Sequence, residues 1–217
     1  MRKLLICGTR TFAEEVADLA GAAGDHEVVG FVENEERARC AQTLAGLPIR
    51  WIGDLAGDDL GALAETHSAV CALATTRRSR FTEQVAELGL PFATLVHPAA
   101  HVSASSTLGE GTIASPGTIV AAHTRVGRHA ILNRGVLIGH HTTIGDHCTL
   151  NPGANVAGKV TIDDEVSIGM GANVLGDLHV GYGAVIGAGA VVTKDVPERA
   201  VVLGVPARPV EGRSGPR

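Results

Sequence analysis

From Val102 to Pro197 the sequence divides into sixes without an insertion. The span holds 16 hexads, and 15 of their first residues are Val, Ile or Leu, with Ala114 the exception. The fifth position is Ser, Thr, Ala, Val or Cys except at Leu178. Glycine often fills the second, as at Gly109, Gly127, Gly139, Gly145, Gly169, Gly181 and Gly187. A lone helix wants apolar residues every 3.6 positions and a free strand every two. One large aliphatic and one small residue per six fits neither. It fits a flat strand followed by a turn, repeated around a triangular prism with the aliphatic side chains inside. Glycine and small polar residues then manage the corners, where positive φ is expected. Identical positions stack from coil to coil and the core is continuous. A sandwich of ordinary strands would vary its loop lengths and lose the register.

Composition agrees with a narrow, regular core. The chain has 28 glycines and 3% aromatic residues, and glycine has no collagen-like period of three. Net charge is −5 with no long basic run, which argues against a nucleic-acid partner. No apolar stretch approaches the roughly 20 residues that span a bilayer, and the apolar run at the start is too short for a signal peptide. Cys7, Cys40, Cys71 and Cys148 are scattered with no CxxC pattern. They read as reduced thiols, so a cytoplasmic protein without membrane contact is expected. Cys148 takes the small inward position of its hexad and reads as core rather than nucleophile.

Residues 1–94 have another pattern. Leu4–Gly8, Val28–Val32 and Ala69–Ala74 read as strands. Phe12, Val16, Leu19, Ala20 and Ala23 make one helical stripe, and Phe81, Val85 and Leu88 another. Alternation of β and α predicts a small, Rossmann-like parallel sheet, which binds ligands at the carboxyl ends of its strands. The predicted organisation is α/β: a substrate-binding domain over residues 1–97, a β-helix over 98–203 and a tail over 204–217.

Three strings carry a family likeness: LVHPAAHVS, IGHHTTIGDHCTLNPGANVAGKVTI and AVIGAGAVVTKDVPERAVVLGVPARPV. The chain resembles the hexapeptide-repeat acetyltransferases that modify amino groups of nucleotide sugars or hydroxyls of sialic acid. The resemblance implies a left-handed parallel β-helix with about three hexads per coil, and a homotrimer. It implies acetyl-CoA as co-substrate, a sugar or nucleotide-sugar acceptor, and no metal. His140 matches the family's general base, and Asn133 an asparagine near it. His141 stands where the nucleotide-sugar enzymes usually carry the acidic residue that orients the base. Thr149 replaces a second family histidine at the acceptor, with His147 two residues earlier as its stand-in. Gly158, Gly176 and Ala188 would meet coenzyme A between two subunits, Gly158 also supplying its N–H to an oxyanion. In the first domain Gly8 begins the family's phosphate turn, Glu33 and Asn34 stand where acidic residues read the nucleoside, and Arg10, Arg77 and Arg78 are candidate phosphate ligands.

With about 18 residues per coil, His123 lies under His141, His129 under His147, Asn133 under Asn151 and Asn155 under Asn173. A polar column on one side of the prism is expected. The chemistry needs such a group: an amine attacking a thioester must lose a proton, and histidine is the residue suited to take it. The leading reading is N-acetyl transfer to a sugar by direct attack, without an acyl-enzyme. O-acetylation of a sugar hydroxyl is the alternative within the family. A zinc enzyme of the carbonic anhydrase type and a non-enzymatic nucleotide-binding scaffold are the alternatives of other classes.

Overall fold

The computed structural model describes residues 1–57 and 59–215, and every side chain among them except that of Arg77. Two compact units result: Met1–Ala74 with Arg78–His97, and Pro98–Arg217 with Thr75–Arg77.

The first unit is built on β1 (Arg2–Cys7), α1 (Thr11–Ala23) and β2 (His26–Glu33). A hairpin of β3 (Thr43–Leu44) and β4 (Leu47–Trp51) follows, then α2 (Ile52–Leu55), α3 (Leu60–Thr66), β5 (His67–Cys71) and α4 (Ser79–Glu87). The sheet order is β3-β4-β2-β1-β5, parallel except for the β3–β4 pair. The strand order therefore reverses beside β1, between β2 and β5, which is where open α/β sheets place a ligand crevice. Helix α1 buries Ala13, Val16, Leu19 and Ala20 and stops at Gly24, whose φ of 79° no ordinary residue favours. Leu5, Cys7, Val32, Cys71, Phe81 and Val85 pack in one cluster. The hairpin was not anticipated; its turn is Ala45–Gly46, both at positive φ (49° and 76°).

The second unit is the predicted left-handed parallel β-helix. Sixteen two-residue strands run from His101–Val102 to Val191–Val192, one per hexad. Each as far as Asn173–Val174 pairs in parallel with the strand 18 residues on, as Leu137–Ile138 does with Asn155–Val156. Three sheets result. Of the sixteen strands, His101–Val102 is the first on face one, Thr107–Leu108 on face two and Ile113–Ala114 on face three. The first residue of each strand points outward and the second inward. Leu132, Ile138, Ile144, Leu150, Val156 and Ile168 are all at most 2% exposed, as the period requires. Cys148 is fully buried and its Sγ–H donates to the carbonyl of Asp163 at 3.1 Å. Residues 208–214, expected as a tail, form a strand antiparallel to Ala200–Leu203.

The corners divide their labour more sharply than expected. Positive φ falls on the fourth position of the hexad, at Gly111, Gly117, His123, His129, Gly135, His141, His147, Gly153, Lys159 and Glu165. The second-position glycines do not have it. A Cβ on Gly127 would lie 2.6 Å from the carbonyl carbon of Gly145 and 2.8 Å from the backbone nitrogen of Asp146. Glycine is there because the next coil's backbone lies against it, not for its φ.

Candidate active site

His140 sits between the strands Leu137–Ile138 and Thr143–Ile144, on the corner joining faces one and two. Its ring lies over Gly158, one coil on: a Cβ there would stand 2.8 Å from Cε1 and 2.9 Å from Nε2. Its Nδ1 is 3.1 Å from Nδ1 of His141, with the two rings edge to face. His141 meets His123 in turn, centroids 4.8 Å apart with the rings tilted by 48°. Gly176 continues the column, its Cβ position 3.1 Å from the carbonyl oxygen of Gly158. Both His140 and His141 are exposed. This corner thus offers a solvent-facing imidazole with one nitrogen engaged, beside a strip of backbone with no side chain in the way.

The other candidates lie elsewhere, and the single polar column expected from stacking is instead divided among corners. His129 and His147 stack in parallel 5.0 Å apart on the corner joining faces two and three. Asn133, Asn151 and Ala188 are on the third corner. Stacking follows the 18-residue coil, so residues six apart fall on different corners. Asn133 is buried, and its Oδ1 accepts the N–H of Arg134 at 2.8 Å. Thr149 is outward on face three, yet buried. Asp146 is bound to its own corner: Oδ1 accepts the N–H of Arg128 at 2.7 Å and Oδ2 the Arg128 Nε at 3.0 Å. Burial pushes its carboxyl up, but the Arg128 bonds and charge outweigh this and hold it below the ordinary range.

In the first unit Gly8, at φ 121°, ends β1 with its Cβ position 3.2 Å from the carbonyl oxygen of Ala72 on the neighbouring strand-end loop. Thr9, Arg10, Thr11, Glu14, Arg39 and Leu44 line a hollow of about 370 Å³ at the start of α1. Helix N-termini present free N–H groups to anions, and two arginines add charge. Glu33 does not face outward as a reader would. It is buried, accepts the hydroxyl of Thr9, and caps the N–H groups of Asn34, Glu35 and Glu36 at 3.0, 2.9 and 3.3 Å. Burial alone would raise its carboxyl; these four hydrogen bonds lower it below the usual value. Asn34 Nδ2 donates to Gln84 Oε1 at 2.8 Å. Arg78 is fully buried rather than solvated, and the side chain of Arg77 lies outside what the structure describes. Arg39 escaped sequence reasoning: it donates to the carbonyl of Thr9 at 3.1 Å and to Glu36 at 2.7 Å, and no spacing announces it.

Among the described residues no group of three His, Cys, Asp or Glu is placed to hold a metal, and no helix is long and apolar enough to cross a membrane.

The bacterial transferase hexapeptide family (six repeats) matches residues 141–176. No curated protein sequence matches. Among solved structures, the acetyltransferase domain of PglB from Neisseria gonorrhoeae FA1090 is 30% identical, with 97% of this chain and 100% of that one covered at a TM-score of 0.86. PerB from Caulobacter crescentus, solved with CoA and GDP-perosamine, is 29% identical, with 97% and 98% covered at 0.85. WeeI from Acinetobacter baumannii AYE is 26% identical, with 97% and 100% covered at 0.87. Repeat, prism, front sheet and end-to-end likeness agree: the chain belongs to the hexapeptide-repeat nucleotide-sugar acetyltransferases and is an acyltransferase.

Proposed function

We propose that this enzyme transfers the acetyl group of acetyl-CoA to an amino group on a nucleotide-linked sugar, with His140 as general base. The observation that carries the reading is the seat of His140: an exposed imidazole laid on Gly158 with its Nδ1 engaged by His141. Nε2 is then the ring nitrogen left for the acceptor. It takes the proton of the amine as nitrogen attacks the thioester carbonyl, and the bond to sulfur breaks as the tetrahedral intermediate collapses. The N–H of Gly158 stands beside the ring to meet the developing oxyanion. Gly158 and Gly176 leave bare backbone along which the extended arm of coenzyme A can lie, with Ala188 supplied from another corner. Acetyl-CoA bound to the PglB domain and CoA with GDP-perosamine bound to PerB support this choice of substrates.

The hollow at the start of α1 is the place for the acceptor's phosphates, with Arg10 and Arg39 as cations and the loop that Glu33 holds, including Asn34, beside it. Asn133, His147 and Thr149 come to the acceptor from a second copy in a homotrimer. The enzyme works in the cytoplasm, without a nucleic-acid or membrane partner.

The test uses GDP-perosamine and related amino-sugar nucleotides as acceptors. Acetylated product is expected by mass spectrometry, and His140→Ala should lower kcat by roughly 10²–10⁴ while coenzyme A still binds. Product formed at the normal rate by His140→Ala would refute the assignment of the base.

A further inference from the structure

A base needs a ring nitrogen free of its proton. The Nδ1–Nδ1 approach of 3.1 Å between His140 and His141 holds one hydrogen, so two neutral rings have two arrangements there. When His140 donates, its Nε2 is bare and His141 carries its proton on Nε2. When His141 donates, His140 is protonated on Nε2 and takes nothing from the acceptor. The first alone makes His140 a base. An ionised carboxylate at position 141 would abolish the second, because it only accepts. An imidazole leaves the choice to its surroundings.

Those surroundings are well defined. His141 is pinned at φ 57°, with its N–H on the carbonyl of Ala122 at 2.9 Å and its ring on that of His123. One coil on, Lys159 holds the equivalent place and donates its N–H to the carbonyl of His140 at 2.8 Å. Its amino group is 3.9 Å from the carboxylate of Asp177, the next residue of the column. Arg125 heads a strand on the adjoining face. The titratable and charged groups on the corner with the pair are thus His123, Lys159 and Asp177, with Arg125 on the adjoining face. Among the described residues no ion pair or hydrogen bond joins a carboxylate to either ring.

We propose that His141 is a positioning residue that accepts from His140 as a neutral imidazole, leaving Nε2 of His140 open, and that this pair keeps the base working at lower pH than a His–carboxylate pair on the same corner would. The second half follows from charge. A carboxylate against His140 would favour its protonated, inactive form. A neutral ring that accepts through its Nδ1 holds Nε2 of His140 open without that penalty. The choice of tautomer rests on His140 being the base, and spectra read the tautomer without needing the reaction.

Two measurements test it on the full chain. Long-range ¹H–¹⁵N spectra of histidine-labelled protein, at a pH where both rings are neutral, should show His140 protonated on Nδ1 and His141 on Nε2. The reverse assignment overturns the proposal whether or not an acceptor has been found. The second is the pH profile of kcat/KM with acetyl-CoA and GDP-perosamine. His141→Glu should move the acid limb to higher pH by roughly one unit. His141→Ala should lose roughly tenfold, well short of the 10²–10⁴ expected for His140→Ala. His141→Gln, whose amide oxygen also accepts, should regain part of that loss. An acid limb unmoved by His141→Glu, or a His141→Gln no better than His141→Ala, overturns it. Wild-type protein that acetylates no amino-sugar nucleotide would sink the proposed function instead, leaving the spectra to decide the pair.

Discussion

Gly158 shows how one missing side chain can be as specific as a catalytic group. Its Cβ position falls 2.8, 2.9 and 3.1 Å from three atoms of the His140 ring, the first two nearer than real contacts come. Gly158→Ala should therefore tilt that ring and cut kcat by about 10²-fold, near the lower end for a lost base, while circular dichroism and the mass by light scattering stay as they were. An alanine variant with normal kcat would mean the ring has room to spare. Glu33 gives the opposite lesson. The sequence placed it at the end of a strand, where a nucleoside reader was expected, yet its carboxylate holds the loop. The partners are backbone N–H groups and Thr9, which no motif names. Because its folded pKa is lowered, it adds stability above the ordinary glutamate value near 4.3. That stability is lost as pH falls from there through the lowered value. Wild type should thus lose denaturation midpoint on acidification more steeply than Glu33→Gln below about pH 4.3. Parallel pH curves for the two would count against the buried network.

Among elements, the hexad is where sequence and structure agree most closely, because a period of six with no insertion leaves the backbone one way to close. The corner position of His140 was equally legible, since its motif lies inside that frame. What the repeat did not reveal was why each glycine is there. Gly127 faces backbone of the next coil at 2.6 Å. Gly135, at φ 67°, has nothing near its Cβ position, and other corners place His, Lys or Glu in its conformation. Gly127→Ala should accordingly destabilise by about 1–3 kcal/mol, the usual worth of overpacking. Gly135→Asn should cost under about 1 kcal/mol, because asparagine tolerates that region. Urea midpoints decide it; equal losses would contradict the division between crowding and φ. The β3–β4 hairpin stayed hidden for a related reason. Its turn uses Ala45, not asparagine, at positive φ, and the short strands show no alternation long enough to read.

At the scale of the molecule, the residues of the proposed site do not come together within one chain. His140, Gly158 and Gly176 share a corner, while Asn133 and Ala188 belong to another and Thr149 to face three. Inside one prism a full face separates them, and no rotamer closes that gap. A neighbouring prism can supply what the first lacks, if the face next to the His140 corner is where copies meet. That face has the surface for it. Ile119 and Leu137 point outward there, 45% and 39% exposed, in line with Asn155 and Asn173, which bond each other at 3.2 Å. Two stacked aliphatic residues on a flat sheet next to a polar ladder suit burial against another copy. The expected assembly is a homotrimer of about three times the 22.3 kDa chain mass by light scattering. Leu137→Asp with Ile119→Asp should shift the mass toward one chain, because each buried carboxylate would lack a partner. Neither side chain contributes to the prism interior, so the melting of isolated prisms should remain cooperative. Activity should fall with the trimer and return where high protein concentration restores it. A monomeric double variant with full kcat would show that one chain carries the whole site, and that Asn133 and Thr149 take no part from a neighbour.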